Sequence, residues 1–280
     1  MTHHENTHAV LLIDRDARDV VTLTLNRPKV HNAFNPDLIT GLIDVFEDCH
    51  AHPPRALILT GSGHAFSAGA DLVWMQQMIK ASEADNKADA KRLAHLFRLL
   101  DEMPCPTIAR VNGHAFGGGV GLIACCDLAV ANEKVELGLT EVRLGLTPAT
   151  IAPFVLAKMG IKHARRLMLT GERFDAQMAV RFGLITDTTP PDQLDGHIDD
   201  LLELILAGSP SAQAHTKALI RLVSHSKDSE QTDEQTAALI AHLRVSEQGQ
   251  EGLRAFLEKR RPSWHPDSAT RTSEKSKTPQ

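Results

Sequence analysis

The sequence predicts an α/β chain whose mixed core of strands and helices passes into a helical C-terminal part. Three observations predict it. β-Branched runs end repeatedly at Gly, Asn or Pro turns, helical segments stand between those runs through the first 190 residues, and no strand pattern follows Pro190-Pro191.

The first strand is the run VVTLTL at 20–25, stopped by Asn26-Arg27-Pro28. Residues 55–60 repeat that design before Gly61-Ser62-Gly63, and 106–111 repeat it again before Asn112-Gly113. Short extended pieces follow at 127–131 and 135–137, with helices at 36–49 and 88–102 between the strands. Thr147-Pro148 reads as a helix cap followed by proline at the first helical position, and Gly160 as the stop. Residues 175–182 before Gly183 read the same way, and 195–206, 211–224, 233–246 and 251–260 read as helices. The expected division is a disordered N-terminus at 1–9, a mixed core at 10–205, a helical region at 206–264 and a disordered tail at 265–280.

At 280 residues the chain can bury about three quarters of its unfolded surface, so a core needs neither disulfides nor metals. Thirty basic residues against 35 acidic ones give a formal net charge of -5, which offers no general attraction for nucleic acid or an anionic membrane. Aromatics are 4% and tyrosine is absent, which argues against a base-stacking surface. Cys49, Cys105, Cys125 and Cys126 form no CxxC pair or zinc set, and read as reduced, buried thiols. His3, His4 and His8 read as a solvated end rather than a metal site. No run reaches the ~18 apolar residues of a membrane span and no apolar leader segment is visible, so a soluble, cytoplasmic protein is expected.

Three segments carry chemistry together. Phe66-Ser67-Ala68-Gly69-Ala70-Asp71-Leu72 and Asn112-Gly113-His114-Ala115-Phe116-Gly117-Gly118-Gly119 can expose backbone amides, and Leu139-Thr140-Glu141 supplies a carboxylate. Gly61-Ser62-Gly63 lacks the third glycine of a dinucleotide fingerprint, because Phe66 stands there. Ser67 lacks the first glycine of a nucleophile elbow, because Ala65 stands there. The Gly117-Gly118-Gly119 run serves either tight packing of the apolar helix that follows or an oxyanion at that helix's N-terminus. Glu141 lies between apolar flanks, which raises a carboxyl's proton affinity. Arg110 and Arg143 serve ion pairs or a ligand carboxylate.

With Asn26-Arg27-Pro28-Lys29-Val30-His31-Asn32-Ala33, Cys126-Asp127 and the stretch from Gly138 to Pro148, those segments stand in the order and spacing of one family. Over residues 10–262 the chain resembles the enoyl-CoA hydratase/isomerase, or crotonase, family. The resemblance implies a spiral of ββα units with a helical C-terminal trimerisation region, assembled as a trimer or a dimer of trimers. It implies a CoA thioester whose carbonyl oxygen lies between the amides of Ala70 and Gly118, with Glu141 as acid/base. CoA would be part of the substrate, with no separate cofactor and no metal. Ala68, Asp71, Leu72 and Val73 map to the acyl-CoA strip, Lys29, Val30 and Ala33 to the CoA wall, and Phe256 and Lys259 to positions that meet CoA from a neighbouring subunit.

Family hydratases commonly carry a second glutamate two residues after the triple glycine, and Gly121 stands there instead. A single carboxylate suits double-bond isomerisation, whereas two simplify water addition. The segments around Glu141 and Ala70 nevertheless look like the bacterial methylglutaconyl-CoA hydratase branch of leucine breakdown, whose members also tend to carry that glycine. The expected reaction is hydration of a 2-enoyl-CoA, 3-methylglutaconyl-CoA by that likeness. The alternatives are a Δ3,Δ2-enoyl-CoA isomerase and a non-catalytic CoA-ester-binding scaffold. For the missing second role the candidates are His114 or a water in the space left by Gly121.

Overall fold

The structure, a computed structural model, describes residues 10–266, so the expectations for 1–9 and 267–280 lie outside the described residues. The chain divides into two compact units, one running to Met103 and resuming over Thr107–Asp199, the other comprising Pro104–Pro106 and the residues from Asp200 onward.

The first unit opens with the hairpin of β1 (Leu11–Arg15) and β2 (Val20–Leu25), followed by helix α1 (Pro36–Ala51). Asn35 caps α1 by accepting the Leu38 amide at 2.9 Å, Pro36 pre-sets its first turn, and Leu38, Ile39, Leu42 and Phe46 form its buried stripe. Three repeats of one plan follow. β3 (Ala56–Gly61) and the short β4 (Ala65–Ser67) lead to α2 (Leu72–Lys80) and α3 (Glu83–Asp101). β5 (Thr107–Val111) and β6 (His114–Phe116) lead to α4 (Gly118–Cys125), and β7 (Leu128–Asn132) and β8 (Glu136–Gly138) lead to α5 (Ala152–Thr170). β9 (Arg173–Asp175), α6 (Ala176–Arg181) and β10 (Asp187–Thr189) complete the core.

One sheet has the order β1-β2-β3-β5-β7-β10, parallel from β2 onward, and a second, of three-residue strands, has the order β4-β6-β8-β9. Each repeat therefore contributes one strand to each sheet and then helix. That is a spiral of ββα units. β3 is buried along its whole length, as a parallel strand covered on both faces requires. Phe34, Phe46, Phe66 and Phe97 are the largest fully buried side chains, each contributing about 1.5–3 kcal/mol over an exposed position.

Several helix boundaries differ from the sequence expectation, those of α5 and α3 among them. α5 begins at Ala152 rather than at Pro148, because Pro153 sits in its first turn, and its backbone leaves helical geometry at Gly160 (φ 71°, ψ 160°) before continuing to Thr170. α3 begins at Glu83, five residues before the expected 88, because Ser82 accepts the Asp85 amide at 3.1 Å and caps it.

The second unit is helical: α8 (Pro210–His225), α9 (Ser229–Val245) and α10 (Glu247–Leu257) follow α7 (Leu194–Ala207), inside which the division between units falls. Among the described residues no strand follows Thr189. Lys217 of α8 is buried and donates its ammonium to the Cys105 carbonyl at 3.0 Å, while Phe256 at the end of α10 is 81% exposed. All four cysteines are buried thiols. No helix among the described residues is long and apolar enough to cross a membrane.

Candidate active site

The three chemistry-bearing segments are the exits of three adjacent parallel strands. β4, β6 and β8 lie side by side in the second sheet, and the chain leaves them at Ala68–Ala70, Gly117–Gly118 and Leu139–Glu141. Backbone bonds lock the exits together: Gly117 N donates to Gly138 O at 2.9 Å, Phe34 N to Gly69 O at 2.6 Å, and Asp71 N to Phe34 O at 2.9 Å. Those last two bonds flank Ala70. Among the described residues neither the Ala70 nor the Gly118 amide donates to a protein acceptor, and both residues line one cavity of about 350 Å³ with Glu141.

Glu141 opens a short 3-10 turn (Glu141–Leu144), and its carbonyl accepts the Leu146 amide at 3.1 Å. Its side chain folds against Gly117, where a Cβ would stand 3.1 Å from Oε1; Gly117 also has φ 50°, which an L side chain rarely adopts. Oε2 is buried without a hydrogen-bond partner among the described residues. Burial pushes the Glu141 carboxyl above its ordinary value, only partly opposed by its own backbone amide. Two unpaired amides beside a carboxylate of raised proton affinity can polarise a carbonyl and move a proton next to it.

A second hollow adjoins the first and shares Ala68, Ala70 and Trp74 with it. It brings together Lys29, Val30, Ala33, Asp71, Leu72 and Val73, the positions that the resemblance assigned to the acyl-CoA strip and the CoA wall. Asp71 is engaged internally: it takes Arg27 Nη2 at 2.8 Å and the Val73 amide at 2.7 Å, capping α2. Burial works to raise its carboxyl, but the hydrogen bonds from Arg27 and Val73 and the Arg27 charge outweigh it and hold it below the ordinary value. Phe256 and Lys259 belong to the C-terminal unit, Lys259 with φ 54° just beyond α10. Ser67 is no nucleophile, since its buried hydroxyl donates to the Asn32 carbonyl at 2.9 Å. Arg110 pairs with Asp195 at 2.6 Å.

The family model described as enoyl-CoA hydratase/isomerase matches residues 15–267. The chain belongs to the enoyl-CoA hydratase/isomerase family. It is similar to an enoyl-CoA hydratase of Shewanella pealeana, at 44% identity over 91% of this chain and 96% of that one, with a TM-score of 0.87. It is also similar to the crotonyl-CoA hydratase of Syntrophomonas wolfei, at 32% identity over 91% of this chain and 97% of that one. The 2,3-dehydroadipyl-CoA hydratase of Escherichia coli is likewise 32% identical, over 91% of this chain and 98% of that protein.

As a member of this enoyl-CoA hydratase/isomerase family the chain departs from expectation at the second acid/base group. A Cβ at Gly121 would lie 2.3 Å from Ile151 Cγ2 and 2.9 Å from Phe97 Cε1, so apolar side chains already fill the space expected to hold water. His114 is exposed, accepts the Glu136 amide on Nδ1 at 2.9 Å, and does not line the cavity. Both candidates are therefore corrected. The cavity holds instead a carboxylate that the motifs did not flag: Asp89 of α3, on a stripe with Asn86, Ala90 and Leu93. Burial raises its carboxyl, opposed by the Arg92 charge and by hydrogen bonding from the Trp74 side chain.

Proposed function

We propose that this enzyme adds water across the 2,3 double bond of an enoyl-CoA thioester, or removes it in reverse. The observation that carries the reading is the buried, unpartnered Oε2 of Glu141 in the cavity lined by the two unpaired amides. The named hydratases among its relatives support the same direction.

The thioester oxygen accepts the Ala70 and Gly118 amides, each such donor being worth roughly 2.7–4 kcal/mol in the transition state. Glu141 takes a proton from water as its oxygen bonds to C3, and the C2=C3 π electrons move to the thioester oxygen as an enolate. The protonated Glu141 then returns that proton to C2, which restores both the carbonyl and the carboxylate. One carboxyl group thus serves as base and acid in turn, in keeping with the apolar filling at Gly121. Lys29, Val30, Ala33, Ala68, Leu72 and Val73 form the CoA side of the site in this reading, and Phe256 and Lys259 of a neighbouring subunit complete it in a trimer or dimer of trimers. CoA enters as part of the substrate, no other cofactor is required, and a cytoplasmic enzyme of acyl-CoA metabolism fits. 3-Methylglutaconyl-CoA is the specific substrate drawn from the resemblance.

A second reading, Δ3,Δ2-isomerisation, is favoured by the same apolar filling, because one carboxylate suffices to carry a proton between C4 and C2. Incubation in ¹⁸O-water with crotonyl-CoA, 3-methylglutaconyl-CoA and a 3-enoyl-CoA separates the two. Label in a 3-hydroxyacyl product supports hydration; double-bond migration without label establishes the isomerase.

A further inference from the structure

The inference concerns the acyl end of the cavity and rests on the enoyl-CoA reading above. With the thioester oxygen at Ala70 and Gly118, the acyl chain runs between a wall from α2 and α3, which includes Met75, Met78 and Leu93, and a wall from Leu144 to Ile151. No Lys, Arg or His is among the residues lining that cavity; its two ionisable groups are Glu141 and Asp89.

Asp89 does not stand where family hydratases carry the second glutamate. It lies eight residues before Phe97 on α3, an axial rise of about 12 Å at 1.5 Å per residue from the residue whose side chain abuts Gly121. Its neighbours explain why it is the polar group presented here. The Asn86 amide is tied to the carbonyls of Met78 and Ser82 at 3.1 Å each, and Arg92 turns to Thr40 of α1 rather than into the cavity. Trp74, buried and shared by both hollows, lines the same cavity as Asp89.

We infer that Asp89 is a specificity residue that selects acyl chains uncharged at their far end and rejects those ending in a carboxylate. A second carboxylate brought beside Asp89 would meet like charge in a partly desolvated cavity whose lining carries no cation, the Arg92 charge acting on Asp89 from a side chain turned to Thr40. That is repulsive discrimination built into the wall. The substrate class assigned is therefore an uncharged enoyl-CoA, ahead of the dicarboxylic monothioester drawn from the resemblance.

The test compares wild type with Asp89→Asn, which removes the charge and keeps the shape, and with Asp89→Ser as a second variant. Two readouts are taken: kcat/KM for crotonyl-CoA and 3-methylglutaconyl-CoA, and calorimetric Kd for pentanoyl-CoA and glutaryl-CoA, saturated esters of equal carbon count that need no turnover. The expected result is a wild-type preference for the uncharged ester, and a carboxylated-to-uncharged ratio that rises on the order of tenfold in Asp89→Asn. A ratio unmoved in both folded variants, or a wild type that binds glutaryl-CoA more tightly than pentanoyl-CoA, overturns the inference. If neither enoyl ester turns over, the hydratase reading fails while the Kd ratio still decides the role of Asp89.

Discussion

Ile151 occupies the volume into which any side chain at Gly121 would project: a Cβ there would stand 2.3 Å from Ile151 Cγ2. Gly121→Ala is expected to destabilise the fold by about 1–3 kcal/mol through overpacking, a fall in melting temperature of roughly 2–4 °C per kcal/mol. Adding Ile151→Ala should return part of that loss, since it opens the same space. Differential scanning calorimetry of the two single variants and the double variant checks it; strictly additive losses would show that the two positions do not share a volume.

Glu141→Gln keeps the side chain's shape and removes its proton transfer. Turnover should fall by about 10²–10⁴-fold while binding of a saturated acyl-CoA stays within a few fold. Near-normal turnover in that variant would remove Glu141 from the mechanism.

The raised Glu141 carboxyl sets two pH dependences of defined sign. As a base it must be ionised, so kcat/KM should fall on the acid side with a midpoint above the ordinary value of 4.5. Its effect on folding runs the other way. A carboxyl whose folded pKa is raised disfavours the folded state once it ionises, so Glu141→Gln should melt higher than wild type above the folded pKa. That advantage should shrink as pH falls through the raised value and vanish below 4.5, where the carboxyl is protonated folded and unfolded alike. Melting curves from pH 4 to 8 read it directly; an advantage that grows on acidification contradicts the assignment.

The Arg27–Asp71 pair joins the Ala70 turn to the loop before α1, with side chains 18% and 7% exposed. Breaking it by Arg27→Met leaves a buried carboxylate and should cost about 3–5 kcal/mol. Asp71→Asn, which keeps a side-chain oxygen for the Val73 amide, should lose less because the charge it strands, the Arg27 guanidinium, is the more exposed of the two and still donates to the Ala33 carbonyl. Denaturant titration of the two variants ranks them, and the reverse order would refute the stranded-charge account.

Much of this was legible locally. The run at 20–25 is β2 residue for residue, and Asn35-Pro36 starts α1, because a β-branched run and a cap with proline act over a few neighbouring residues. The oxyanion segments were legible for the same reason: small residues at strand exits mark where backbone must stay open. What escaped was set by contacts across the chain. α2 begins with Leu72 and Val73 pointing outward, against the usual apolar-in pattern, so its sequence does not announce a helix. Asp89 reads as one more polar residue of α3, and only packing beside Trp74 places it in the cavity. That Gly121 is filled rather than hollow depends on Ile151, thirty residues away, and no spacing rule encodes a shared volume.

The parallel register of β4, β6 and β8 has a further consequence. The groups that grip the carbonyl are main-chain atoms fixed by the sheet, whereas the proton-carrying and acyl-sorting groups are side chains, Glu141 beyond β8 and Asp89 on α3. Replacing those side chains leaves the grip untouched. A lineage can therefore exchange its chemistry or its substrate one codon at a time without first rebuilding the part that makes any thioester reactive.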